Sequence, residues 1–308
     1  MNRRAVFWTI VIVALAALPA VVTALHQPYY LELARRIMIF AIAAVSLDLI
    51  LGYGGMVSFG HAAYLGIGGY AVGILAFYGF SNGWLQLAVA IGASALIAAA
   101  IGAVSIRTSG IYFIMITLAF TQMLYYLGIS LDLFGGDDGM RLKRRSDFGV
   151  VDLADPVMFY YVVLLLMLAA IYLTHRIVNS RFGTVIRAAK SNEARTRAIG
   201  LSPYPYRLLA FVIAGAMGGV SGALFVNHTA YLTPEFMHWT RSGEIMFMVI
   251  LGGMGTPAGP LAGAAALLVL EDVLSSWTQH WQLILGPLLV LSVIFFKRGL
   301  AGIFHRDA

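Results

Sequence analysis

The side chains that could perform acid–base or metal chemistry are few in this sequence, and their spacing does not form a catalytic set. His61 has no second histidine or carboxylate at a metal-ligand spacing, so no metal site is predicted. A lone histidine is more often a hydrogen-bonded structural residue than a proton carrier. Glu271 and Asp272 are adjacent and point to different faces of a helix, which argues against a carboxylate dyad. Asp48 lies in an apolar segment and is a functional candidate, but it could equally reach water at the membrane surface near Gly52.

Nucleotide chemistry is also absent from the sequence. There is no GxxxxGK[ST] phosphate loop, and none of the lysines follows a glycine. The chain has no cysteine, which excludes disulfides, iron–sulfur clusters and thiolate zinc sites. We therefore predict no cofactor in this chain and no enzymatic activity of its own. If it works in ATP-driven transport, another chain must bind ATP and Mg²⁺.

Two glycine-rich links could instead line a path for a solute. Residues 52–70, GYGGMVSFGHAAYLGIGGY, form a glycine-dense link whose second part opens a helix, and irregular backbone is predicted for its first part, 52–60. Residues 252–260, GGMGTPAGP, are too broken by Gly and Pro for a regular helix interior, and the similarity of the two links hints at a distant internal repeat. Irregular backbone at membrane depth is tolerated mainly where it lines a cavity, and such interruptions mark translocation paths. Later in the chain two threonines lie one helical turn apart, and their hydroxyls could line the path or bond back to their own helix. The candidate path residues are Gly54, Gly55, Ser58, Gly60, His61, Thr117 and Thr121.

The composition places these residues in a bilayer. Of 308 residues, 60% are hydrophobic and only 11% charged, against about 25% charged in soluble domains. The apolar runs are long, which predicts an all-α polytopic membrane protein and excludes an outer-membrane barrel. The net charge of +6 is explained by a positive-inside bias without nucleic acid.

About ten transmembrane helices fit the apolar pattern, in one domain covering residues 1–308. An even number of spans puts both termini on one side, and the distribution of Lys and Arg makes that side cytoplasmic. The interval 129–156 then becomes an outer, periplasmic loop, in spite of its own basic cluster. The predicted helices lie at about 5–25, 37–51, a third that opens within 52–70 and reaches 78, 84–106, 111–129, 157–175, 208–227, 243–254, 261–274 and 283–296.

The longest basic segment, residues 176–207, carries seven Lys/Arg against the single acid Glu193, so it is predicted to be a cytoplasmic loop. Within it, Asn192 is a typical N-cap, Glu193 complements the helix dipole and Gly200 is a typical stop. The resulting helix, about 193–199, is too short to be stable alone. We interpret it as a docking element.

Four motifs in this order resemble one known family. They are GYGGMVSFGHAA at 52–63 with the following GIGGY; RTSGIYF from 107 with the Thr-Leu pair at 117–118; GGDDG at 135–139; and RFG at 181–183 through Asn-Glu to AIGL at 198–201. Together they resemble the LivM-type permeases, the branched-chain amino-acid/amide subfamily of ABC importers. The resemblance covers essentially the whole chain.

The resemblance implies an ABC-importer permease fold in a bacterial inner membrane, for branched-chain amino acids or similar small amino acids and amides. It also implies a second related permease chain, two cytoplasmic ATPase subunits and a periplasmic substrate-binding protein. It makes the short helix a coupling helix, although Glu193 and Gly200 are seven positions apart instead of the six in EAAxxxG, and Arg195 replaces the second Ala. The residues implied to couple to an ATPase are Asn192, Glu193, Ala194, Arg195, Arg197, Ala198 and Gly200.

Other interpretations stay open at the level of sequence. The basic cluster Arg141, Lys143, Arg144 and Arg145 either pairs with acidic residues of the delivering protein or is simply solvated. An ion-coupled secondary transporter is the main alternative function, and sparse membrane acids argue against it. A membrane enzyme using His61 and Asp48 would lack partner residues. The transported solute stays open among amino acids, amides, urea and small carboxylates, because another chain selects it.

Overall fold

The structure, a computed structural model, describes residues 3–149, 152–295 and 299–300, and this part of the chain is almost entirely helical. Its α-helices are α1 (Arg3–Ala24), α2 (Pro28–Asp48), α3 (His61–Phe77), α4 (Gly83–Ser105), α5 (Ile111–Ile129), α6 (Pro156–Val178), α7 (Arg181–Ser191), α8 (Glu193–Ala198), α9 (Pro203–Thr229), α10 (Trp239–Gly252), α11 (Gly259–Trp277) and α12 (Trp281–Phe295). A π-helical turn, Leu49–Tyr53, prolongs α2, and 3-10 turns lie at Asp132–Phe134 and Pro234–Met237.

Two short strands mark one end of the helix bundle. β1 (Met140–Arg141) pairs antiparallel with β2 (Tyr231–Leu232), and we call this the hairpin end. The opposite end, which carries α7 and α8, we call the α8 end. Both chain termini and residues 150–151 lie outside the described residues.

Local signals explain where several helices begin. The side chain of Asn82 accepts hydrogen bonds from the backbone at the start of α4, and Asp155 does the same for α6. Ser180 caps α7 and Asn192 caps α8. Each cap satisfies amide groups that a helix start would leave without a partner.

The centre of the bundle is formed by α2 and α9, which are far more buried than α4 and α5. Small residues allow α9 to contact its neighbours. A Cβ on Gly68 of α3 would collide with the backbone of Gly219, and one on Gly222 would collide with the backbone of Leu65. Gly215 of α9 likewise packs against Ala98 of α4. This close approach is typical of membrane helices, whose association depends on van der Waals packing.

Among the described residues, six helices are long and apolar enough to cross a membrane: α2 with its π-helical turn, α4, α5, α6, α9 and α11. Shorter apolar helices are Val11–Ala24 within α1, His61–Phe77 and Trp281–Leu291 within α12. The chain is therefore a multi-pass membrane protein.

The predicted start of the second helix is wrong. The sequence pattern predicts a helix at about 37–51, whereas α2 begins at Pro28. The first turns of α2 bind α11. Arg36 Nη2 donates to Glu271 Oε1 at 3.0 Å, and the Tyr29 hydroxyl donates to Asp272. The adjacent acids Glu271 and Asp272 thus each bind a different residue of α2.

A second difference concerns the basic segment. Residues 176–207 contain not one short helix but two, because α7 precedes α8. The buried residues of α7, among them Val185, Ile186 and Ala189, give this basic helix one apolar face.

Candidate functional site

The broken link between α2 and α3 is held by side chains of distant helices. Its residue Phe59 donates its backbone N–H to Thr117 Oγ1 at 3.2 Å, and its carbonyl accepts from Thr121 Oγ1 at 3.1 Å. The same carbonyl accepts from Ser242 Oγ of α10 at 2.7 Å. Three hydroxyls thus replace the hydrogen bonds that a regular helix would supply.

The two threonines bond back to their own helix, as one of the two interpretations of the sequence predicts, and they also bind the link. Thr117 Oγ1 also donates to Ile114 O and Thr121 Oγ1 to Thr117 O, both at 2.9 Å. Both side chains are fully buried and lie against the backbone of Phe59. If the link lines a translocation path, the two threonines contribute by fixing the backbone of the link.

Three other residues with a predicted path role support the start of α3. His61 is fully buried, and its Nε2 lies 2.6 Å from Ser46 Oγ of α2. Ser58 Oγ accepts from Gly60 N at 3.1 Å. Ser58 thus binds Gly60 at the end of the link, and the following residue, His61, connects the start of α3 to α2.

The two broken links meet at the α8 end. Asp48 is buried, and its Oδ1 accepts a hydrogen bond from Gly255 N at 2.8 Å. A Cβ on Gly52 would collide with both of these groups. Gly255 itself has φ 72°, a conformation that favours glycine. The alternative that Asp48 simply reaches interfacial water is wrong, because its carboxylate is enclosed where 252–260 approaches the π-helical turn.

The basic segment reaches this junction through α7. Lys190 Nζ donates to the carbonyl oxygen of Gly52 at 2.5 Å. The stem of Lys190 also packs against Gly55, whose φ is 70° and whose missing Cβ leaves room for it. Gly54, beside it, is buried and its missing Cβ avoids Ile50 O. Lys190 thus connects α7 of the basic segment directly with the π-helical turn that follows α2.

The helix α8 follows α7 directly and is anchored by one acid. Glu193 accepts from Arg197 Nη2 at 2.5 Å and from Arg207 Nη1 of α9 at 2.7 Å. Burial alone raises the pKa of Glu193, but the hydrogen bonds and charges of Arg207 and then Arg197 outweigh it and hold the pKa below its ordinary value. The N-cap predicted at Asn192 is present, with Oδ1 accepting from Arg195 N at 2.9 Å.

The outer surface of α8 is open. Apart from Glu193 and the buried Thr196, its side chains face solvent. Ile199, just beyond the helix, is 68% exposed. The exposed residues of the segment are Asn192, Ala194, Arg195, Arg197, Ala198, Ile199 and Gly200.

Residues 230–238, which join α9 to α10 at the hairpin end, also approach the link between α2 and α3. Met237 of their 3-10 turn occupies the space left by the missing side chains of Gly66 and Gly128. The ring of the neighbouring Trp239 lies 6.3 Å from that of Phe59, centroid to centroid. Phe59 is half-buried and Trp239 is 42% exposed. The link and the start of α10 are therefore in contact through a partly exposed aromatic pair.

Three of the four basic side chains in the loop before α6 are exposed to solvent. Arg141, Lys143 and Arg144 are exposed, whereas Arg145 is half-buried and its Nη1 donates to Leu153 O at 3.1 Å. Arg141 also belongs to β1, so its backbone is fixed by Tyr231. The cluster is therefore a structured loop with three available charges.

Three residues of the site escaped the sequence interpretation: Ser242, Lys190 and Gly255. Each acts through a contact with a residue distant in sequence, for which local spacing contains no signal. Only the positive-φ tendency of glycine could have marked Gly255 as a special position. Among the described residues, no group of His, Asp and Glu side chains could hold a metal ion.

Comparison with known proteins gives a consistent result. A family model described as "Branched-chain amino acid transport system / permease component" matches residues 29–294. The chain is 27% identical over 293 residues to the "High-affinity branched-chain amino acid transport system permease protein LivM" of Salmonella typhimurium, covering 87% of this chain and 69% of that protein. The LivM protein of Escherichia coli gives the same identity and coverage.

A second type of relative is more distant. The permease protein LivH of Escherichia coli is 24% identical over 286 residues, covering 85% of this chain and 91% of that protein. No solved structure matches the chain. The residues matched by the family model, 29–294, include the α8 segment and both broken links.

Proposed function

Because this chain belongs to the family of permease components of branched-chain amino acid transport systems, we propose that it is one permease subunit of an ATP-driven importer. Its substrates are branched-chain amino acids or similar small amino acids and amides. It works in a bacterial inner membrane, with ten membrane helices (all of the twelve except α7 and α8) and both termini in the cytoplasm. The α8 end is then cytoplasmic and the hairpin end periplasmic.

The proposed mechanism rests on one observation. The exposed helix α8 and the broken link are joined by a short series of polar contacts. Arg207 binds both Glu193 of α8 and Ala189 O of α7, and the next residue of α7, Lys190, donates to Gly52 O. A force that moves α8 is therefore transmitted to the backbone of the link. Because α8 is continuous with α7 and anchored to α9 by Arg207, its displacement also changes the position of α9.

The energy for this movement comes from other subunits. The sequence has no phosphate loop, so two cytoplasmic ATPase subunits bind and hydrolyse ATP. The exposed face with Ala194, Arg195, Ala198 and Ile199 fits into a cleft on one of them, where Ile199 supplies an apolar contact. The second ATPase acts on the second, related permease chain.

The translocation path follows the edge of the chain where Gly55, Phe59 and Trp239 are accessible. The second permease chain completes it from the other side. Ser58, Gly60, His61, Thr117 and Thr121 support the backbone of this edge, while a periplasmic binding protein supplies the substrate. Arg141, Lys143 and Arg144 form its docking surface through salt-dependent charge pairing.

The experiment is uptake of labelled leucine by proteoliposomes that contain the complex co-purified with this chain. We expect uptake only when ATP reaches the ATPase side, and we expect mass spectrometry to identify two ATPases and a second permease in the preparation. Uptake by the purified chain alone, driven by a proton or sodium gradient without ATP, would contradict the proposal. ATP-dependent uptake of another solute would change only the substrate class.

A further inference from the structure

A buried arginine near the hairpin end lacks the partner that its charge requires. Only 4% of the Arg35 side chain is exposed, and among the described residues its Nε has no hydrogen-bond partner. The nearest acid is Glu32, whose Oε1 is 3.8 Å from Arg35 Nη2 and whose side chain is 66% exposed. A solvated carboxylate at that distance neutralises a buried guanidinium poorly.

Besides the exposed Glu32, the charged groups near Arg35 are cationic. The charges of Arg35 and Arg145 act on each other, and His228 lies within range of both. The Nδ1 of His228 is also buried without a partner among the described residues. Arg36 lies close by as well, but its charge is satisfied by Glu271 at 3.0 Å. Within the described part of the chain, Arg145 therefore has no ion pair, and Arg35 has only the long one with the exposed Glu32.

The elements that hold this cluster are well packed. The Cζ of Arg35 is 5.3 Å from the ring centroid of Phe159, a fully buried residue of α6. That ring lies 6.4 Å from the ring of His228 on α9. The carbonyl of Leu153 holds Arg145 from the loop before α6. An aromatic face attracts a cation but leaves its N–H groups without acceptors.

We propose that Arg35 and Arg145, with His228 beside them, bind a small oxyanion, a carboxylate or a phosphate. A guanidinium presents parallel N–H groups that match two oxygens of such a group, and the buried N–H of Arg35 gains the acceptor that it lacks. The low exposure of Arg35 limits the ligand to one that inserts a single anionic group.

Two sources can supply this chemistry. Arg35 lies seven residues after the start of α2, about 10 Å along the axis of a helix that is long and apolar enough to cross a membrane. A phospholipid phosphate and a soluble anion both reach that depth. The inference does not rest on the proposed transport function, because it concerns only the neutralisation of charges within this chain.

The experiment is thermal unfolding of the purified full chain, followed by tryptophan fluorescence. The probes are inorganic phosphate and acetate in phosphatidylcholine nanodiscs at constant ionic strength, and nanodiscs that contain phosphatidylglycerol. At saturation we expect an increase in Tm of about 5 °C. A response to phosphate or acetate identifies a soluble anion, and a response to phosphatidylglycerol identifies a lipid headgroup.

Variants decide whether the response belongs to this cluster. Arg35→Gln and Arg145→Gln each remove the increase in Tm, whereas Lys143→Gln, which removes the same charge from an exposed position of the same loop, retains it. If Arg35→Gln does not fold, Arg145→Gln alone carries the test. The inference is overturned if no probe raises the Tm of the unmodified chain, or if Arg145→Gln responds as strongly as Lys143→Gln.

Discussion

The α8 helix and the junction of the two broken links lie at the same end of the molecule but are stabilised in opposite ways. At the junction, Asp48, Gly52 and Gly255 are enclosed and joined by contacts between distant parts of the chain. In α8 most side chains face solvent, and one acid supplies its contacts with the rest of the protein. The junction is complete within this chain, whereas α8 offers a surface that a partner can complete.

This difference separates two tasks. A region that must change shape in a defined way needs a unique internal arrangement, and close packing provides it. A region that must be recognised by another subunit needs exposed groups on a stable backbone. Lys190 connects the two regions, because it lies in α7, next to α8, and its side chain binds Gly52 at the junction.

Gly52→Ala has the largest expected effect on stability. Its methyl group would collide with the Asp48 carboxylate and the Gly255 backbone, which we expect to lower the free energy of unfolding by about 3 kcal/mol. Denaturant titration in detergent measures the change. Gly92→Ala of α4 is the control, since a Cβ there meets nothing within 4 Å. Equal stability of the two variants would show that the junction is not tightly packed.

Asp48→Ala tests the hydrogen bond between the two links. It leaves the Gly255 amide buried without an acceptor, and we expect a loss of roughly 2 kcal/mol in the free energy of unfolding. Asp48→Asn keeps an oxygen acceptor and should lose less. The same denaturant titration compares them, and equal losses would mean that this bond does not determine the contact.

Lys190→Met tests the connection between the two regions. The substitution retains an apolar stem against Gly55 but removes the charged donor to the Gly52 carbonyl. We expect a modest loss of stability, about 1 kcal/mol, together with a strong loss of ATP-dependent uptake and intact assembly. Arg187→Met, on the exposed side of α7, is the control. Normal uptake by Lys190→Met would contradict the proposed transmission.

The two arginines that bind Glu193 should differ in importance. Arg207 of α9 is 18% exposed and donates to Glu193 of α8 and to Ala189 O of α7, whereas Arg197 is 67% exposed. Exposed pairs of the latter kind contribute about 0.3–0.5 kcal/mol. We therefore expect Arg207→Ala to increase hydrogen exchange of the α8 amides clearly and Arg197→Ala only slightly. The reverse order would place the anchor of α8 within the helix itself.

The smallest expected effect is the acid sensitivity of α8. Because Arg207 and Arg197 hold the pKa of folded Glu193 below its ordinary value of 4.5, its contribution is fully present above pH 4.5 and is lost as the pH falls through the folded pKa. Exchange protection of α8, corrected for intrinsic rates, should decline only below pH 4.5. Glu193→Gln is the control and should show no decline in that range.

Features that depend on local chemistry could be predicted from the sequence. The start of α8 follows from the side chain of Asn192, and the irregular link follows from its glycines. The bounds of α5 at Ile111–Ile129 agree with the predicted helix 111–129 because glycine and polar residues border a continuous apolar run. In each case the determining residues are neighbours in sequence.

Features that depend on distant partners could not be predicted in this way. The early start of α2 requires the acids of α11 to bind Arg36 and Tyr29. The contact between Asp48 and Gly255 joins residues that have no common motif. α7 was missed because its apolar face is short and surrounded by arginines, so its helical period is hidden by charge.

The π-helical turn at Leu49–Tyr53 has a mechanical consequence. A π turn contains one residue more per loop of backbone than an α turn. Its conversion to an α turn would rotate the following residues by about 100° and translate them by about 1.5 Å. The Lys190 ammonium holds a carbonyl of this turn. We therefore expect any movement of the start of the link to occur in one discrete step, and we expect the hydrogen bond from Lys190 to oppose that step.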